Sequence, residues 1–218
     1  MVFGAVGGSE KDLEIIGIGA QTVKENPKIK DDGRRVLNDL HSLSTLHLTG
    51  DSLETLTNLF IQILCEDIDK RFPPDKDSSY EWQTLDLCNF VKDTWTHASI
   101  IGLYGSHIYS IWPDVETWLW GFDQHFQKIM TKIPRLMAPK AYALRDEAKK
   151  MFALWEQEAL RAEAEGKIEN DPDWDPYWGL RFTRARTKYL TESGISTGGR
   201  TGDLMAFMWG VSSPHETR

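Results

Sequence analysis

Apolar side chains recur every three to four positions along most of this chain, the spacing of helices that bury one face. Leu13, Ile15, Ile16 and Ile18 predict a short helix, and the charged stretch KENPKIKDDGRR after it a surface loop. Val36 to His47 predicts a second helix, broken at Thr49 and Gly50. Asp51 is placed to cap the next one, with Glu54 three residues on in a capping-box arrangement. Leu53, Leu56, Phe60, Ile63, Leu64 and Ile68 then share a face until Pro73 and Pro74, and PPDKDSSYEW reads as a loop. A long apolar stretch runs from Leu85 to Ile111, with Gly102 and Gly105 allowing close packing or marking a break. Pro113 suits the first position of a further helix, whose face carries Val115, Trp118, Leu119, Phe122, Phe126, Ile129, Met130 and Ile133.

Pro134 is expected to stop that helix and Pro139 to open another. Ala141, Leu144, Ala148, Met151, Trp155 and Ala159 form its stripe, and Gly166 suits its end. DPDWDPYW reads as a turn-rich link, residues 178 to 190 as a short helix with a basic face, and ESGISTGGRTG as a flexible loop. Asp203 is placed to cap a last helix, apolar from Leu204 to Val211. No run alternates as a strand would. The fold class expected is all-α, with about seven or eight amphipathic helices.

Composition narrows the function. The chain has 218 residues, and 25 Lys and Arg against 33 Asp and Glu give a formal charge of -8. Phosphate binding needs clustered cations, so nucleic acid is not an expected partner. Nine Trp suit a core or a pocket for a greasy ligand. Cys65 and Cys88 lie on apolar-periodic stretches and are expected to be buried, reduced thiols. No stretch reaches the ~18 apolar residues that span a bilayer. MVFGAVGGSEKD lacks the apolar run of a signal peptide, so the chain as written reads as soluble and cytoplasmic.

Most candidate chemistry fails on spacing. The six His, at 41, 47, 97, 107, 125 and 215, include no HExxH pair, so no metal site is expected from side chains. His97 and His107 read as hydrogen-bonded core residues. Asp171, Asp173 and Asp175 alternate around two prolines in a loop, not along one helix face as a magnesium–diphosphate site requires. GAVGG and GGRTG lack the lysine and the strand–turn–helix setting of nucleotide loops. The last helix remains: an apolar run that turns polar at Ser212 and Ser213 and meets Pro214, which deforms a helix. Such a spot is either a site or a helix end.

The segments FDQHFQKIMTKIPRLMAPKAYALRDEAKKMF, THASIIGLYGSHI and HLTGDSLETLTNLFIQIL resemble the cytochrome P-450 superfamily of haem-thiolate monooxygenases. The branch they resemble most is that of sterol 7-alpha- and 12-alpha-hydroxylases and prostacyclin synthase, in its filamentous-fungal members. GDLMAFMWGVSS resembles the first half of that family's central helix, which crosses the distal face of the haem. The resemblance covers residues 36 to about 213. It implies that Asp51 to Ile68 packs near the haem propionates and that Pro139 to about Glu165 roofs the substrate pocket. Thr96 to His107 and Val115 to Ile133 correspond to two intervening helices of the helical lobe. Trp209, Gly210, Ser212 and Ser213 fall where the distal helix faces substrate and oxygen. Glu216 and Thr217 resemble the acid–alcohol pair that delivers protons to dioxygen.

The same resemblance marks what this sequence lacks. The family's iron-ligating cysteine lies in a Phe- and Gly-rich loop beyond the central helix, surroundings that neither Cys65 nor Cys88 has. Glu158 and Arg161 have the spacing of the family's Glu-x-x-Arg pair but precede the central helix, and read as a surface pair. The expectation is one incomplete domain, with an irregular lead-in at 1–35 and a helical lobe at 36–218. It is a fragment of a haem enzyme acting on a lipophilic, sterol-like or secondary-metabolite substrate, and inactive alone. The complete enzyme would bind haem, take electrons from a flavoprotein reductase, and sit on the cytosolic side of the endoplasmic reticulum through an anchor absent here. The competing expectation is a non-catalytic all-α module that binds a protein partner or an apolar ligand.

Overall fold

The computed structural model describes residues 8–20, 36–73 and 84–212. Nine helices lie among them: α1 (Glu10–Ala20), α2 (Val36–His47), α3 (Gly50–Arg71), α4 (Leu87–Tyr104), α5 (Ile108–Ile111), α6 (Val115–Met130), α7 (Pro139–Ala164), α8 (Arg181–Glu192) and α9 (Thr197–Ser212). Two strands, β1 (Trp174–Asp175) and β2 (Gly179–Leu180), pair antiparallel between α7 and α8. The expected all-α class holds.

The main core fills the space between α4, α6, α7 and α9. Tyr104, Leu119, Phe122, Phe152, Trp155, Trp178, Phe182 and Met205 are fully buried in it. A second cluster joins Ile16 of α1, Val36 and Leu40 of α2, and Leu190 and Ile195 at the end of α8. Trp118, Leu119, Phe122, Phe126 and Ile129 are the buried stripe of α6, as their spacing predicts.

The end of α4 organises the rest. A helix leaves its last carbonyls short of intrahelical donors, and here three remote side chains bond the last turn, two at Leu103 and Tyr104 and one at Ile101, which also accepts from the Gly105 N–H at 2.9 Å. The Trp174 indole N–H donates to the Ile101 carbonyl at 3.0 Å, the Thr183 hydroxyl to Leu103 at 2.6 Å, and the Trp155 indole to Tyr104 at 2.9 Å. The strand pair lies directly against this end. Gly105 (φ 78°) and Gly179 (φ 70°) are left-handed, and a Cβ on Gly179 would sit 2.4 Å from the Gly105 nitrogen. Only glycine permits that approach. Gly105 therefore breaks the apolar stretch from Leu85 to Ile111, leaving α5 as a single separate turn.

Several boundaries differ from the sequence expectation. The stretch ESGISTGGRTG is mostly the start of α9, not a loop. Ser196 caps that helix, its hydroxyl accepting from the Gly199 N–H at 3.1 Å. Asp203 lies inside the helix, 7% exposed, because Arg186 holds it there. Asp51 sits within the first turn of α3 rather than capping it. Asp86 caps α4, accepting from the Asn89 N–H at 3.1 Å. Val115, not Pro113, opens α6, and Pro113 lies in the preceding turn. α6 ends at Met130, before Pro134; just beyond it Lys132 is left-handed (φ 53°) and the Ile133 N–H reaches back to the Lys128 carbonyl. Cys65 and Cys88 are both exposed: Cys65 because α3 buries none of its residues, and Cys88 because it lies in the exposed first turn of α4.

Candidate functional site

The helix singled out by its sequence, α9, lies against α4, α7 and α8. Leu204, Met205 and Met208 enter the core. Tyr104 donates its buried hydroxyl to the Leu204 carbonyl at 2.9 Å. Burial, and then the charge of Asp203, push that phenol well above the ordinary tyrosine range, so it stays a neutral donor.

Charged groups fix α9 on two sides. Arg186 of α8 grips Asp203 through two bonds of 2.7 Å. Burial alone would lower the Arg186 pKa, but the Asp203 carboxylate outweighs it and raises the value. Arg200 bonds the buried Glu156 of α7 at 2.8 Å and the Ile195 carbonyl at 2.8 Å. At the helix start, Asp12 of α1 accepts from the Ser196 N–H at 2.7 Å and from its hydroxyl at 2.6 Å.

The site residues expected on α9 divide. Trp209 is half-buried; its indole N–H donates to Asp123 at 2.8 Å and its ring stacks on Phe126 at 3.5 Å. Both partners belong to α6, so Trp209 ties these two helices together. Gly210 is exposed, and a Cβ there would meet nothing within 4 Å. Ser212 is the last residue of α9. Ser213, Glu216 and Thr217, like the side chain of Ser212, lie outside the described residues.

Other polar groups gather elsewhere. His97 of α4 and Tyr109 of α5 converge on one oxygen of Glu116, at 2.8 and 2.6 Å. Burial would raise the Glu116 pKa; the His97 and Tyr109 hydrogen bonds outweigh it and lower the value. A cleft of about 670 Å³ lies between α2, the α7–β1 link and α8, lined by His47, Glu163, Asp171, Arg181, Arg184 and Lys188 among others. Its cations are matched internally: Arg181 and Arg184 to Asp171, Lys188 to Glu163 at 2.5 Å. Glu158 and Arg161 form the surface pair expected of them, at 3.2 Å.

No group of three His, Cys, Asp or Glu among the described residues could hold a metal ion. Nor does either cysteine suit a haem iron. A thiolate ligand needs a cradle on the buried face of the porphyrin, whereas Cys65 and Cys88 project into solvent from two helices.

Three curated relatives show what this arrangement is akin to. A cytochrome P450 monooxygenase of Humicola fuscoatra is 30% identical over 136 residues, 62% of this chain and 24% of the relative. One from Hormonema carpetanum is 24% identical over 184 residues, 84% of this chain and 32% of the relative. One from Penicillium decumbens is 23% identical over 163 residues, 75% of this chain and 29% of the relative. The chain is similar to fungal cytochrome P450 monooxygenases. It spans about a quarter to a third of the length of the P450 relatives it matches. No family model matches it, and no solved structure does. No described helix is long and apolar enough to cross a membrane.

Sequence reasoning missed the supports of α9. Arg186 was placed only on a basic helix face and Arg200 only in a loop, and Glu156 and Asp12 were not singled out. The available signal was weak: Arg186 and Asp203 lie 17 positions apart, beyond the reach of any helix-spacing rule.

Proposed function

We propose that this chain supplies the helical lobe of a haem-dependent monooxygenase acting on a lipophilic small molecule. In this reading α7 roofs the substrate pocket, α6 is an intervening helix of the lobe, and α9 is the first half of the distal wall. The observation that carries it is the similarity to P450 monooxygenases, which extends over up to 84% of the chain. The buried apolar face of α9, with Leu204, Met205 and Met208, agrees with a helix that runs through the middle of a fold.

The reading gives the chain's residues limited roles. Trp209 and Asp123 hold α9 to α6. Ser212 and Ser213 would face the substrate side, with Glu216 and Thr217 beyond them for proton delivery. Haem, when bound, would supply the oxidising chemistry, and its iron ligand would come from sequence other than these 218 residues. Electrons would come from a flavoprotein reductase, and the family's membrane location would apply to the complete enzyme. A sterol-like or secondary-metabolite substrate is the class that the resemblance favours.

Haem titration of the purified chain tests this. The expected result is weak or no binding, and no thiolate-type band in the reduced carbon monoxide spectrum. A polypeptide translated from the full native transcript should give that band. A thiolate spectrum from the 218-residue chain, lost on Cys65→Ser or Cys88→Ser, would overturn the assignment.

A further inference from the structure

We draw no further inference here: the strongest candidate, the cavity of about 140 Å³ between α7 and α8 lined by Glu156, Trp178, Thr187 and Lys188, carries none, because the Trp178 indole N–H, unpartnered but fully enclosed, leaves no room for a ligand atom against it, and nothing in the structure shows what covers the cavity mouth.

Discussion

Asp12 offers the sharpest quantitative test of how α9 is held. It is 1% exposed, and its carboxylate joins two helix starts. It accepts from the Ser9 N–H at 2.8 Å and the Ser9 hydroxyl at 2.7 Å at the head of α1, and from the Ser196 N–H and hydroxyl at the head of α9. Burial alone would raise its pKa. The hydrogen bonds from Ser196, then Ser9, outweigh burial and bring the value from 3.8 down to about 2. A depressed carboxylate stabilises the fold while the unfolded chain would be ionised, and the gain fades as pH falls through 3.8 toward 2. At about 1.36 kcal/mol per tenfold change in proton affinity, the contribution is about 2.5 kcal/mol at neutral pH and about 1.3 kcal/mol at pH 3. Asn cannot ionise, so Asp12→Asn should lose that contribution. Urea unfolding followed by circular dichroism should show the variant about 2.5 kcal/mol less stable at pH 6, with the gap roughly halved at pH 3. A gap of equal size at both pH values would refute the ionic account, because neutral hydrogen bonds have no such dependence.

The remaining tests address the other supports. Gly179→Ala places a Cβ 2.5 Å from the Leu103 carbonyl oxygen and should cost more than about 3 kcal/mol in thermal unfolding; Gly166→Ala, equally left-handed at φ 71° but with no atom within 4 Å, should cost only about 1–2 kcal/mol. Asp203→Ala strands the half-buried Arg186 and should destabilise by about 3 kcal/mol, whereas Arg186→Met with Asp203→Leu should lose far less by denaturant titration. Trp209→Phe keeps the stack on Phe126 but loses the bond to Asp123, and should cost about 1.5–3 kcal/mol in the same assay. Cys65 and Cys88 should both react with a thiol reagent in native buffer nearly as fast as in urea.

Which features could be read from sequence follows the range over which each interaction acts. The stripe of α6 was legible because Trp118, Phe122 and Phe126 repeat at helical spacing and face one core. The end of α7 was legible because Gly166 supplies a left-handed residue where Lys167 N–H closes on the Ala162 carbonyl. The same local rule misplaced the start of α9. Asp203 has the chemistry of a cap and stands before an apolar run, but a cap must be able to leave the helix, and Arg186 holds this carboxylate inside it. Ser196 is a better cap because Asp12, far away in sequence, completes its hydrogen bonds. α3 fails in the opposite sense. Its period was right, yet a period states only that a face exists, not that anything covers it. Leu53 and Ile61 stay exposed because no described element other than α4, and marginally α2, packs on that helix. The candidate site shows both limits together. Trp209 was expected to face substrate and oxygen; the contacts it makes here are to Asp123 and Phe126 on a neighbouring helix. A helix-spacing rule cannot show such a tie, because Asp123 and Trp209 lie 86 positions apart and meet only when α6 and α9 pack together.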